Sequence, residues 1–428
     1  MLEIMPYNFV SLGKGKARVA PHDPYAKDNL EGRMTCLLTV RTPLFIPNTS
    51  GGREKRVFYS YEDLALKKAW DIQAPEEPVI PGSSIRGMLR AAYEAASNSC
   101  MGVLKEGNND ASRQALYALA RKAAYLPCSG KGNDLCPACS LFGMVSAGQG
   151  GRAYGSRIRL TDAQCRGRIR FGQPQQIPQL WEPRAYATGF YTCRHENGAE
   201  TTLRGRKFYW HHEVKQEGIH AERTMSIWPV EEGVFSFELY FDGITEAELR
   251  QLAAVIQLKG HSGYRGAYKL GAAKPLGYGS VALDIEAVTV RKIELGGDGI
   301  AYINEDITDQ LKDITLEEAF GAREGALDEL MSILDPQAIR ADGVTVKYPE
   351  PESGFRLHTI PEIVKQAANL RKEEAEAKEA EARQAEIHAA EQLQPPDEDF
   401  MAAWAMRNSR FNRGNDRDTS KKSKNKKR

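Results

Sequence analysis

No run of about 18 uncharged apolar residues occurs in the 428-residue sequence, so no helical membrane span is expected. The opening, Met1-Leu-Glu-Ile-Met-Pro-Tyr7, lacks the basic-then-apolar order of a signal peptide. An even set of cysteines is also missing: there are seven, three of them close together. That argues against a disulfide framework and for a reduced thiol or metal site. No His-Glu-x-x-His and no deaminase signature is present, which speaks against catalytic zinc. Net charge is nearly absent as well, at +1. Residues 407–428 hold ten Lys or Arg against two Asp, so the rest of the chain is net acidic. A nucleic-acid site in the folded part must then be a local basic groove.

Hydrophobic pattern places the elements. Met34–Val40 reads as a strand, and Pro47–Gly52 as a polar loop. Ser83 or Ser84 is expected to cap a helix reaching about Ser97, with Ile85, Met88, Leu89, Ala92 and Tyr93 on one face. Residues 98–150 read as a cysteine-bearing insertion. Strands are expected at Ser156–Leu160, Arg168–Phe171 and Val234–Phe241, a helix at Thr245–Leu258, and a strand from Ser280 to about Val290. The resulting class is α+β, a ferredoxin-like (RRM-like) βαββαβ core with large insertions, spanning residues 1–350. Residues 173–230 form a second, thumb-like insertion. Residues 351–394 read as a charged helical extension, too poor in large apolar residues for a strong coiled-coil seam. Residues 395–428 read as a disordered tail with an acidic–aromatic patch, Pro395–Trp404, and a basic end. That patch is either a docking peptide or plain linker.

Two segments suit phosphate. Gly271-Ala-Ala-Lys-Pro-Leu-Gly-Tyr-Gly279 offers Gly271, Gly277 and Gly279 for close backbone approach, Lys274 for charge and Tyr278 as a ring for a base or sugar. Pro81-Gly-Ser-Ser-Ile-Arg-Gly-Met-Leu-Arg90 puts Ser83 and Ser84 at a helix N-terminus, with Arg86 and Arg90 on one face beside it. The alternative for that helix is an ordinary capped helix with surface arginines. The expectation is that both segments line one channel. Trp181–Tyr191 and Arg204-Gly-Arg-Lys-Phe-Tyr-Trp-His-His212 interleave aromatic and basic residues. Arg204, Arg206 and Lys207 are RNA-contact candidates there, with a subunit interface or local core as the other reading. Cys128, Cys136 and Cys139 supply three thiolates. Cys100, at the end of the Ser83–Ser84 helix, is the choice for a fourth ligand of a structural zinc, ahead of His195, His211 and His212. Free or buried thiols are the alternative, and Cys36 is expected to be a plain core residue.

The segment Ile80–Arg90 resembles the Ile-Pro-Gly-Ser-Ser-Leu-Lys-Gly signature of the RAMP superfamily, the repeat-associated proteins of CRISPR effector complexes, especially the type III backbone subunits of the "Cas seven" group. Leu135-Cys-Pro-Ala-Cys-Ser-Leu-Phe-Gly143 is similar to a segment of that group. Lys269–Gly279 resembles its C-terminal glycine-rich loop, and Pro6–Val10 resembles the opening of a type III-associated branch. The matches run in order across residues 6–290.

The resemblance implies a cytoplasmic, prokaryotic subunit that polymerises with copies of itself along a guide RNA (crRNA). Such a subunit holds the guide for complementary target RNA and contacts other effector subunits. Ser83, Ser84 and Arg86 fall on guide-backbone positions, and Lys274 with Gly271, Gly277 and Gly279 on the glycine loop. Target-cleaving members carry an aspartate after the first strand, and none stands at that place here. Asp63 and Asp71 come later and are the only catalytic candidates. His22 and His261 have no spacing that joins them. The chain therefore reads as a non-cleaving scaffold that works with a separate nuclease, for which the tail is a candidate docking site. The alternatives are a metal-dependent target-RNA endonuclease and a guide-maturation nuclease.

Overall fold

Period-two alternation builds the centre of the molecule. In the computed structural model, Leu30–Val40 buries Met34, Cys36, Leu38 and Val40, and Val234–Ile244 buries Phe235, Phe237, Leu239 and Phe241. In a strand such alternation puts these buried side chains on one face. Ser280–Gly296 begins with the same alternation at Val281, Leu283 and Ile285. A register shift between Ile285 and Ala287 then moves the buried set to Val288 and Val290. An extra residue there lets a 17-residue strand keep one apolar face while it bends.

These strands form an eight-stranded sheet. Its order is Tyr268–Lys269, Ser280–Gly296, Leu30–Val40, Val234–Ile244, Ala163–Cys165, Val79–Ile80. Ile158–Leu160 also pairs with Val234–Ile244, and Gly299–Asp306 with Ser280–Gly296. All pairings in this sheet are antiparallel. Two helices, Gly82–Ala96 and Glu246–Gln257, add their apolar sides to the same core. They are joined by the Tyr93 hydroxyl, which donates to Gln251 Oε1 at 2.6 Å. The second helix starts with a capping box, Thr245 and Glu248. The first differs from expectation: it begins at Gly82, its N-cap is Pro81, and no serine side chain caps it.

The structure describes residues 1–48, 55–56, 58–61, 77–102, 111–131, 134–146, 152–178, 180, 191–194, 201–214, 224–260, 265–296, 299–321, 325–347, 357–392 and 398–412. Described parts of 173–230 enter small sheets outside the central one. Gln175–Pro178 pairs with Thr224–Ile227, Thr192–Arg194 with Thr201–Leu203, and Arg206–Tyr209 with Tyr7–Val10. The chain divides into two units, Met1–Leu370 and Arg371–Arg428. Ile360–Gln392 is one helix whose first turns are held by buried Ile360, Ile363 and Ala367, while its later turns are exposed. Glu398–Asn412 is also helical, where the sequence suggested an unstructured tail. No described helix is long and apolar enough to cross a membrane.

Candidate nucleic-acid interface and cysteine centre

The glycine loop gathers lysines. It follows the short strand Tyr268–Lys269, makes a single 3-10 turn over Lys274–Leu276, and enters Ser280–Gly296. Its glycines serve the protein's own backbone. Gly279 has φ +74°, and a Cβ there would lie 1.9 Å from the Leu270 carbonyl oxygen. Gly277 has φ +93°, and its Cβ would lie 2.5 Å from the Glu213 carbonyl oxygen. Gly271 likewise abuts the Phe45 carbonyl. The loop is thus clamped from both sides, and Lys274 is fixed in place.

Around it stand two more lysines. Lys269 is buried and donates to the Gly277 carbonyl at 2.7 Å and the Tyr278 carbonyl at 3.1 Å. Burial, then repulsion from Lys274, lowers it to about 7. Lys207 lies over the rings of Tyr7, at 4.1 Å, and Tyr209, at 5.0 Å. Burial, then Lys274, lowers it to about 8. Lys274 is lowered by burial. The two-strand pairing puts Tyr7, Phe9, Lys207 and Tyr209 on one face, because Lys207 sits opposite Phe9 and Tyr209 opposite Tyr7. Close cations that repel one another form a place that an anion would relieve.

Tyr278 is a correction. Its ring is fully buried and its hydroxyl donates to Gln175, so it offers no face to a base. His211 is also buried. Its ring nitrogens meet Ser280 Oγ and the Ala267 carbonyl, each at 2.9 Å, and burial lowers it to about 3. It is a neutral core group rather than a ligand. Arg204 keeps a buried Nε with no hydrogen-bond partner among the described residues.

At the Gly82–Ala96 helix the arrangement differs from the expected phosphate cradle. The Gly82 amide donates to Asp162 Oδ1 at 2.7 Å, and the other oxygen of Asp162 accepts from the Tyr61 hydroxyl. An internal carboxylate therefore already sits at the helix N-terminus. Ser83 is exposed and Ser84 half-buried. Arg86 donates to the Ile158 carbonyl at 3.1 Å, to Ser156 Oγ at 3.0 Å and to the Phe142 carbonyl. Arg90 donates to Glu94 at 2.8 Å and the Gly143 carbonyl at 3.0 Å. Both guanidiniums fasten the cysteine insertion to the core. The structure thus brings Lys207 and Lys274 together at the glycine loop, and Arg86 and Arg90 together at the insertion.

Cys100, Cys128, Cys136 and Cys139 are buried with their sulfurs within 4.8 Å of one another, and they could hold a metal ion. Cys136 caps the short helix Pro137–Phe142 and accepts from the Cys139 amide at 3.4 Å. Neighbouring thiols, Cys100 foremost, hold Cys136 well below the usual thiol range. Two cations lean on the cluster: Lys16 Nζ donates to Cys128 Sγ at 3.5 Å, and Arg90 Nη2 to Cys139 Sγ at 3.6 Å. Sequence reasoning overlooked Lys16, Glu94 and Asp162, which no motif marks, and gave no separate role to Lys269, the first residue of the glycine-loop resemblance. Cys36 is buried in its strand, as expected. Asp63, Asp71, His195, His261 and residues 181–190 lie outside the described residues.

The RAMP superfamily matches residues 37–282, more than half of the chain, and the protein belongs to that superfamily. The match takes in the Pro81–Arg90 helix, all four clustered cysteines and the glycine loop. Among solved structures the chain is similar to Csc2 of Thermofilum pendens, at 14% identity over 72% of this chain and 81% of that one, with a TM-score of 0.31. No curated protein matches the chain.

Proposed function

We propose that the protein is a guide-RNA-binding backbone subunit of a class 1, type III-like CRISPR ribonucleoprotein. It holds the guide for pairing with target RNA and does not itself cleave. The observation that carries this reading is the crowding of Lys207, Lys269 and Lys274 at a clamped glycine loop, in a chain of the RAMP superfamily. Lysines on fixed backbone capture phosphates without reading bases, and sequence is left to pairing. Arg204, whose buried Nε has no partner among the described residues, is a further candidate contact, and Ser83 and Ser84 are candidates at the separate Gly82–Ala96 helix. Arg86 and Arg90 support it by holding the insertion in place. Supporting a ferredoxin-like core are the order strand, helix, strand, strand, helix, strand and the antiparallel arrangement of the fourth, first, third and second of those strands.

A structural zinc ion suits the cysteine centre. Four thiolates are its preferred closed set, and a tetrahedron with Zn–S of about 2.3 Å has S–S edges of about 3.8 Å. The Cys100–Cys139 separation is 3.6 Å. Partners on this reading are guide and target RNA, further copies of the chain, other effector subunits and a separate nuclease reached through the tail. The work takes place in a prokaryotic cytoplasm. The test is to sequence the RNA that co-purifies with the protein. Transcripts that share one repeat-derived segment support the reading; nucleic-acid-free protein, or RNA of random origin, overturns it.

A further inference from the structure

The cysteine centre and the lysine-bearing strand are the two ends of one run of charge-assisted hydrogen bonds. Arg90 reaches Cys139 Sγ with Nη2, at 3.6 Å, and Glu94 Oε1 with Nε, at 2.8 Å. The other oxygen of Glu94 accepts from Arg206 Nη1 at 3.4 Å. Arg206 Nη2 donates to the Cys100 carbonyl at 3.1 Å and to the Ser99 carbonyl. Arg206 directly precedes Lys207 in the strand Arg206–Tyr209. Glu94 is well buried, a single carboxylate between two guanidiniums, with side-chain exposures of 13% for Glu94 and 10% for Arg206. A carboxylate so enclosed has few alternative partners, so both arginines are locked by it.

We propose that Glu94 is a positioning residue that couples the cysteine centre to the RNA-facing strand. With the centre loaded, Cys139 and Cys100 are fixed. They fix Arg90 and the 99–100 backbone, and through Glu94 these hold Arg206, so that Lys207 stays over Tyr7 and Tyr209. When the centre is empty, the relay loses its anchor and the strand loosens. Because linkage is reciprocal, RNA held by that strand also retains the metal. Only this last step rests on the RNA reading above. Groups that hydrogen-bond to metal ligands change metal affinity by about 10–100-fold when altered, so the coupling is of measurable size.

The test is hydrogen exchange on the full chain, zinc-loaded and after treatment with 1,10-phenanthroline, in the wild type and in Glu94→Gln. A labelled unstructured RNA oligonucleotide is titrated against each sample. Chelation is expected to speed exchange of the Arg206–Tyr209 amides about tenfold in the wild type and to weaken RNA by a similar factor. In Glu94→Gln those amides exchange fast even with zinc bound, and chelation adds less than about twofold. If chelation unfolds the whole wild-type chain, the zinc-loaded pair of proteins decides. Faster exchange confined to Arg206–Tyr209 and the end of the Gly82–Ala96 helix supports the relay, and identical exchange overturns it. Strand amides indifferent to metal in the wild type, or equally responsive in both proteins, also overturn it. A strand that responds to metal in a protein that ignores RNA leaves the relay standing and defeats the RNA reading instead.

Discussion

At the scale of the residue, environment decides what a lysine does. Lys274 was legible because a basic residue between glycines is conspicuous, and Lys207 because it sits among aromatics. Lys269 was not: it opens the segment that resembles the glycine-rich loop but carried no role of its own, and only folding brings it under the Gly277 and Tyr278 carbonyls. Tyr278 misled in the opposite way, since flanking glycines suggest an exposed ring while the fold uses it as core. The lowered Lys269 makes a definite pH prediction. In the unfolded chain it keeps its proton to the usual 10.5, whereas in the folded protein it releases it at about 7. The unfolded state therefore binds more protons between those values, and this group makes stability rise with pH from about 7 upward. Urea midpoints measured from pH 6.5 to 9 should show that rise, and Lys269→Met should remove its share; a variant with the same slope as the wild type contradicts the assignment.

At the scale of the element, the helix and strand pattern was readable because alternation and helical spacing are properties of short segments. Observed strands ran longer than expected, as in Leu30–Val40 and Ser280–Gly296, where pairing partners carry the strand past its apolar stretch. Contacts made by the insertion were not readable. The i, i+4 spacing of Arg86 and Arg90 is the same whether they face solvent or the folded-back carbonyls of Phe142 and Gly143. Cys100 was the exception, because the end of its helix is a fixed point from which the insertion must return. The glycine loop gives the sharpest test at this scale. Gly279→Ala forces a side chain onto the Leu270 carbonyl at positive φ, and should cost at least about 3 kcal/mol of unfolding free energy. By contrast Gly167, also at positive φ but with nothing within 4 Å, should tolerate alanine at about 1 kcal/mol. Comparable losses at both positions would show that the clamp is not what the loop needs.

At the scale of the whole molecule, the family match, the sheet and the cysteine centre all fall within the unit Met1–Leu370. The division within the long helix was not visible in the sequence, where Ile363 is one of few apolar residues in a charged stretch. Burial shows that its first turns belong to the folded unit. Truncation after Gln392 should leave the thermal midpoint of the core unchanged. Truncation before Ile360 should lower it by several degrees, because Ile360, Ile363 and Ala367 leave the core. Calorimetry checks both, and a large drop on the shorter deletion would give the tail a part in the fold.

The central claim is that Lys207 and Lys274 face one ribose-phosphate strand together. The most direct measurement is RNA affinity against salt concentration, by fluorescence anisotropy, for the wild type and the Lys207→Ala/Lys274→Ala double variant. The account predicts a shallower dependence in the variant, by about 1.4 in the log–log slope for two lost phosphate contacts, whatever the RNA sequence. An unchanged slope would contradict it.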